Sequence, residues 1–322
     1  KSNLKKLLEI NFKNYSVLDL PLYMEKNNSI LFARPRGIAL HWLAGNVPVL
    51  GVISLFQTIL TKNKSIVKVP INFRFVLSKM LQDLINNKYF KNRHKKNIKL
   101  ILDSIIILYV DKKDKLSQEF LSRSVDIRIA WGGLEGISAV LRLPKQINCR
   151  DIVFGPKVSL AFVKKECLQN RSDLSTLSKL LCNDIIPFNQ MGCNSPHNLI
   201  IEKGSSFSLK EIAMAIDKEF EKRNLNTKSI DDPIVSFNLL TKKFIYQTEK
   251  NKDILSSNPS NWNILINNSS KIKIEDPLFN KSLFISNIKN MKDLFKILPI
   301  NTQSIGLLCK SKDKAHIMKL LA

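Results

Sequence analysis

The amino-acid sequence predicts an α/β fold of parallel sheets covered by helices on both faces, divided over two domains. Short apolar, β-branched runs of strand length alternate with amphipathic stretches of helix length, and successive strand–helix–strand units produce that rhythm. At 322 residues the chain can bury a large core, and its length is that of two domains rather than one. A composition 44% hydrophobic and 24% charged is that of a folded globular protein; it excludes a disordered chain, a collagen-like repeat and a disulfide-stapled miniprotein.

Along the chain, Gly37–Leu43 reads as a strand and Val47–Leu60 as a helix. Ser65–Val69 is a short strand, followed by a helix from about Phe73 to Ile85. Ser104–Val110 is dominated by β-branched residues and is the clearest strand. Asp114 can cap the next helix, because its carboxylate can accept an orphan backbone amide. Asp126–Ala130 is a strand that ends at Gly132-Gly133, ahead of a helix from about Leu134 to Leu143. Beyond Cys167 the rhythm is less regular: Leu174–Asn183 has helical spacing, a loop carries Cys193, and Asn198–Glu202 is a strand. Ser208-Leu209-Lys210-Glu211 is a capping box that opens a helix to about Arg223. Residues 224–275, rich in Asn, Ser, Lys and Asp, resist assignment. Ser282–Ser286 and Ser304–Cys309 are strands flanking a helix near Met291–Leu298.

The 51 basic and 27 acidic residues give a net charge of +24, a field that attracts nucleic acid, anionic membranes or phosphorylated ligands. The lysines are nevertheless spread over the whole length among many Asn and Ile, as a bias toward A/T-rich codons would leave them. The longest basic patch, Lys91–Lys96, has no interleaved aromatic platform, so no nucleic-acid partner is expected. The five cysteines form no C-x-x-C pair and the four histidines are far apart, so no metal site is expected. An odd cysteine count without a secretory signal points to free thiols in a reducing, cytoplasmic compartment. Ile38–Thr61 is uncharged and long enough to span a bilayer, but Gly45, Asn46 and Pro48 break it into a strand, a turn and a helix, and no membrane span is expected. The first residue is Lys1 rather than Met, which leaves room for a preceding segment.

The chemistry concentrates in Phe188-Asn189-Gln190-Met191-Gly192-Cys193-Asn194-Ser195-Pro196-His197. On these residues alone, Cys193 is either a nucleophile displayed by a Gly-bearing loop or a small buried hydrophobe. Four further segments accompany it. Arg34-Pro35-Arg36-Gly37-Ile38-Ala39-Leu40-His41-Trp42-Leu43-Ala44-Gly45-Asn46-Val47-Pro48 comes first, then Thr61–Pro70, Asp126-Ile127-Arg128-Ile129-Ala130-Trp131-Gly132-Gly133, and Phe154-Gly155-Pro156-Lys157. In this order and spacing the five resemble the aldehyde-dehydrogenase superfamily. Within it, the wording of the third segment, of the Cys193 loop and of Gln303-Ser304-Ile305-Gly306 resembles the long-chain acyl-CoA reductase family, the LuxC type found with bacterial luciferases.

The resemblance implies an aldehyde-dehydrogenase-like fold with two Rossmann-like parallel-sheet domains, residues 1–165 binding NADP(H) and residues 166–322 carrying the catalytic cysteine. It implies that Cys193 forms a covalent acyl-enzyme, with Asn46 and the Cys193 amide as oxyanion donors. Lys68 would reach the adenosine ribose or its 2′-phosphate, and Gly132 and Gly133 would let the backbone approach the cofactor. The implied reaction is NADPH-dependent reduction of a long-chain fatty acyl-CoA or acyl-carrier thioester to the aldehyde. The implied partner is an acyl-protein synthetase subunit, and the implied assembly a homo-oligomer. Two departures stand out. Val153 occupies the place where hydrolytic relatives carry a glutamate base, and Glu275 is a poor match for the glutamate that binds the nicotinamide ribose. The chain also ends soon after Gly306, earlier than is usual in that family. Three alternatives stay open: a short-chain acylating dehydrogenase or acyl-phosphate reductase of the same superfamily, a catalytically degenerate basic binding protein, and a subunit that only accepts an acyl group.

Overall fold

The structure, a computed structural model, describes residues 8–9, 14–45, 49–73, 75–86, 92–223, 232–257 and 261–321. It divides into two compact units, Lys1–Gly155 and Pro156–Ala322. In the first, β1 (Leu22–Met24) and β2 (Ser29–Leu31) form an antiparallel ribbon. The main sheet contains β3 (Ile38–Trp42), β4 (Lys64–Lys68), β5 (Ile105–Leu108), β6 (Ile127–Trp131) and β7 (Arg150–Phe154), in the order β5-β4-β3-β6-β7. All its pairings are parallel. Between the strands run α1 (Val49–Leu60), α2 (Val76–Asn86), α3 (Asn92–Leu102), α4 (Lys115–Arg123) and α5 (Leu134–Arg142). The chain starts in the centre, moves outward through β4 and β5, then crosses to β6 and β7. The order therefore reverses between β3 and β6, and crevices for ligands open at the carboxyl ends of strands at such a reversal.

The central strands β3 and β6 are buried on both faces, which is why their sequences read as nearly continuous apolar runs. Leu40 and Trp42 of β3 and Ala130 of β6 pack with Ile137 and Val140 of α5. On the other side, Val67 of β4 and the adjoining Val69 pack with Leu55 of α1 and Leu77 of α2. Each such side chain stabilises the fold by about 1.5–3 kcal/mol. Two polar arrangements lock this sheet. Gly37 has φ +134°, and a side chain there would collide with the Asp126 carboxylate, which accepts the Ile38 amide at 2.8 Å. Arg128, 1% exposed, donates to Asp151 at 2.6 Å, to Ser122 at 2.9 Å and to the carbonyls of Val140 and Leu143 at 3.2 and 2.9 Å. Burial alone would raise the Asp151 carboxyl, but hydrogen bonds and charge from Arg128 and Lys145 outweigh it and hold it below the usual range. Asp114 caps α4 as expected, accepting the Ser117 amide at 3.0 Å.

The second unit holds β8 (Val158–Val163), β9 (Asn198–Glu202), β10 (Lys252–Ser256), β11 (Asn263–Asn267), β12 (Ser282–Ile288) and β13 (Thr302–Leu308). Their order is β10-β11-β12-β9-β8-β13, with only the β10–β11 pairing antiparallel. α6 (Arg171–Ile185) and α7 (Leu209–Lys222) cover one face through Leu177, Leu181, Ile212, Ile216 and Phe220. α9 (Met291–Ile297) and α10 (Ser311–Leu321) cover the other through Met291, Leu294 and Ile317. Strand side chains alternate between these layers: Leu160, Phe162 and Ile200 face α9 and α10, while Ala161, Val163, Leu199 and Ile201 face α6 and α7. The expected capping box of α7 is present in both halves, Ser208 accepting the Glu211 amide and Glu211 the Ser208 amide.

The chain passes from one compact unit to the other between Gly155 and Pro156, ten residues before the domain boundary expected after residue 165. β8 pairs with β9 and β13, so the whole strand belongs to the second sheet. The unassigned stretch contains α8 (Pro233–Thr248) together with β10 and β11. Asp232 caps α8 and Pro233 occupies its first turn, while Leu239 and Tyr246 pack against Leu265, Leu278 and Phe284. Among the described residues no helix is long and apolar enough to cross a membrane.

Asp151→Ala leaves the Arg128 guanidinium buried without its carboxylate, and breaking a buried pair this way costs about 3 kcal/mol. Urea unfolding should show that loss; a change below about 1 kcal/mol would mean that Ser122 and the two carbonyls suffice.

Candidate active site

Cys193 lies on the segment between α6 and β9, at the amino ends of the second unit's strands. Its approach is conformationally unusual. Phe188, Asn189 and Gln190 all have positive φ, of 52°, 56° and 66°, in the left-handed region that non-glycine residues visit reluctantly. Phe279, Asn280 and Lys281, just before β12, repeat the pattern at 57°, 50° and 53°. The two runs clasp each other. Gln190 is wholly buried; its amide nitrogen donates to the carbonyls of Pro196 and Ser282 at 2.8 and 2.9 Å, and its oxygen accepts the Ser282 amide at 2.8 Å. Lys281, also wholly buried, donates to the Asn189 side chain at 2.6 Å, and burial lowers its ammonium pKa below the ordinary value.

Beyond the clasp the backbone turns tightly, the Ser195 amide donating to the Gly192 carbonyl at 3.0 Å. The Cys193 carbonyl accepts from Ser159 Oγ at 2.5 Å, and Ser159 Oγ lies 2.7 Å from Ser304 Oγ. The Cys193 side chain is exposed, whereas Cys149 and Cys182 are buried. Burial pushes the Cys182 thiol up to about 12. A reactive thiolate needs access as well as charge, and Cys193 has the access.

His197 follows four residues later, 3% exposed, its ring edge-on to Phe279 with centroids 5.4 Å apart. Among the described residues its Nδ1 has no hydrogen-bond partner, and burial lowers the ring's pKa to about 4. At neutral pH it is an uncharged packing group. Glu275 is committed elsewhere: its carboxylate pairs with Lys242 at 2.7 Å and Lys273 at 3.4 Å. Its backbone is held on both sides by the Asn198 side chain at 2.9 Å.

The other candidate residues belong to the first unit, at the carboxyl edge of its sheet. Trp42 pairs with Lys68 on one side and Ala130 on the other, so Lys68 and Gly132-Gly133 lie along the same edge, beside the reversal between β3 and β6. Burial lowers the Lys68 ammonium pKa, and the nearby Asp111 opposes it. Gly133 is the N-cap of α5 with φ −72°, a conformation any residue adopts. The space around Gly132 and Gly133 is open, as it is around Gly136 of α5: a side chain at any of them would meet nothing within 4 Å. That opening lies over the first turn of α5, where unpaired amides and the helix dipole favour an anion. Trp131 stacks on Phe154 with centroids 3.8 Å apart, and its Nε1 donates to Ser54 at 3.1 Å. Asn46 lies outside the described residues. Val153 is 42% exposed on β7 and offers no carboxylate.

Gln190, Ser159 and Lys281 hold the loop and Asn198 holds the Glu275 backbone, and the sequence alone did not single them out. A polar residue inside an apolar strand, as in Val-Ser-Leu-Ala-Phe-Val, is the signal that could have found Ser159.

Two sheets, one parallel and one parallel but for its β10–β11 edge, each with helices on both faces, define an aldehyde-dehydrogenase-like fold. NADP-dependent glyceraldehyde-3-phosphate dehydrogenase from Bacillus halodurans C-125, solved with NADP, superposes with a TM-score of 0.66 at 14% identity, over 94% of this chain and 65% of that one. The chain belongs to the acyl-CoA reductase (LuxC) family, whose model matches residues 1–322. The long-chain acyl-protein thioester reductase of Aliivibrio fischeri is 25% identical over 92% of this chain and 59% of its own length. That of Vibrio harveyi is 26% identical over 91% and 59%. The chain thus spans little more than half the length of these relatives.

Iodoacetamide on the native protein should modify Cys193 well before Cys149 or Cys182, as peptide mapping by mass spectrometry would show; equal labelling of all three would contradict the exposed loop. His197 should make the second unit acid-sensitive. Its folded pKa of about 4 lies below the ordinary 6.5, so the unfolded chain takes up the proton first and stability is lost as pH falls from 6.5 towards 4. The loss is roughly 3 kcal/mol in urea unfolding, and His197→Gln, which cannot take up the proton, should flatten that part of the profile.

Proposed function

We propose that this chain carries the reduction of a long-chain fatty acyl thioester to the aldehyde, with Cys193 as the covalent nucleophile. The observation that supports it best is an exposed thiol on a loop whose other side chains and backbone are pinned from two directions. The Cys193 sulfur, as thiolate, attacks the thioester carbon; a new C–S bond forms, the old one breaks, and the coenzyme A or carrier thiolate leaves. The Cys193 amide and, by resemblance, the Asn46 side chain stabilise the charge that develops on the carbonyl oxygen, about 3–4 kcal/mol per donor. With valine at 153, no carboxylate stands at that position to activate water, so the acyl group is kept from hydrolysis by that route.

The first unit's residues fit a nicotinamide dinucleotide: the opening over Gly132 and Gly133 suits its pyrophosphate, and Lys68 its adenosine ribose or 2′-phosphate. When bound as NADPH, the cofactor would supply the hydride for the acyl carbon; the bond from that carbon to the Cys193 sulfur breaks, which releases the aldehyde and returns Cys193 as thiolate. The donor is a fatty acyl-CoA or an acylated carrier, delivered where required by an acyl-protein synthetase subunit, and the working form is a cytoplasmic homo-oligomer. The printed names of the relatives support the thioester class.

Mixing the protein with a long-chain acyl-CoA and recording intact mass, before and after NADPH, tests the reading. A single acyl adduct on Cys193 that disappears with NADPH as aldehyde accumulates is the expected result, and Cys193→Ala should take no label. Undiminished labelling of Cys193→Ala would sink the assignment.

A further inference from the structure

The late segment Gln303-Ser304-Ile305-Gly306 lies on β13, at one edge of the second sheet, and the nucleophile mechanism has given it no task. Its Ser304 hydroxyl meets Ser159 on the neighbouring β8, and Ser159, 1% exposed, reaches the Cys193 carbonyl. Chemistry fixes the direction of this chain. A carbonyl oxygen only accepts, so the single hydroxyl hydrogen of Ser159 points at Cys193. Ser159 Oγ then has only lone pairs left for Ser304, and the Ser304 hydroxyl must be the donor. Ser159 also holds the far end of the same turn, because its backbone carbonyl accepts the His197 amide at 2.9 Å. One residue of β8 thus fixes the turn at both ends.

We propose that Ser304 and Ser159 form a one-directional hydroxyl relay that sets the orientation of the Cys193–Asn194 peptide, making both of them positioning residues for the nucleophile. Holding the carbonyl fixes rotation about the Cys193 Cα–C bond, and with the Gly192–Ser195 turn this sets the direction of the Cα–Cβ bond that carries the sulfur. The relay is part-buried, with Ser159 itself 1% exposed, and a hydrogen bond shielded from water on one side is stronger than one in solvent. A misdirected attacking atom is costly in a reaction that depends on alignment. Neither serine touches substrate in this scheme. The kinetic part of the proposal rests on the acyl-thioester reading; the structural part does not.

Amide hydrogen exchange over residues 191–197, read by mass spectrometry, tests the relay whatever reaction Cys193 performs. Ser159→Ala should speed exchange about tenfold, and Ser304→Ala about threefold. The double variant should match Ser159→Ala alone, since without Ser159 the Ser304 hydroxyl has no route to the carbonyl. In the kinetic arm, Ser159→Ala should lower the maximal rate of Cys193 acylation by palmitoyl-CoA about tenfold at an unchanged half-saturating concentration. Unaltered exchange in Ser159→Ala, additive effects in the double variant, or an acylation defect confined to half-saturation would each overturn the relay. A parent protein that takes no acyl group while exchange follows the expected order would overturn the reductase reading and leave the relay standing. Acylation of the parent with flat exchange across the variants would do the reverse.

Discussion

Strands covered by helices on both faces leave polar side chains almost no place to meet solvent except at strand ends, and that constraint organises both units. In the first, Lys68, Gly132 and Gly133 gather at the carboxyl edge of the sheet, where the chain order reverses between β3 and β6. In the second, the Cys193 loop caps the amino ends of strands whose interiors are entirely apolar or internally satisfied. The candidate site is therefore peripheral to the cores, yet Gln190, Ser159 and Lys281, which hold its loop, are themselves buried.

That combination explains the two left-handed runs. A loop built from ordinary turns could relax away from the strand ends; residues 188–190 and 279–281 are instead held in backbone conformations that persist only when the surroundings over-determine them. The surroundings here include hydrogen bonds through Gln190 to Pro196 and Ser282 and from Lys281 to Asn189. Much of the local strain is thus offset in the interior, and the exposed sulfur inherits a defined position without being packed itself.

Much of this was legible in the sequence, for identifiable reasons. Periodicity located β9, α7 and β6 to within a residue or two because their apolar patterns are long and their caps explicit, as with Ser208 and Glu211. β7 and β8 escaped because one is charged at its start and the other follows a Gly-Pro pair. α8 hid in a polar stretch because much of its apolar surface is exposed, although Asp232-Pro233 marked its start. For the site, the motif order led to Cys193, but the partners that hold it are 34 to 111 positions away in sequence. Spacing along a chain carries no information about such contacts; they exist only once β8, β9, β12 and β13 are side by side.

The buried guanidinium of Arg128 has a bearing on how the first sheet assembles. Its neighbours in sequence, Ile127 and Ile129, face the opposite side, where they pack with Ala39. If β6 slipped by one position against its neighbours, every side chain would change face, and the cation would be driven into that apolar layer while an isoleucine met the Asp151 carboxylate. Misaligned forms of the sheet are therefore penalised far more heavily than their lost apolar contacts alone would require. A single charge thereby acts as an alignment key, making one pairing of the central strands distinguishable from its near-equivalents while the chain is still folding.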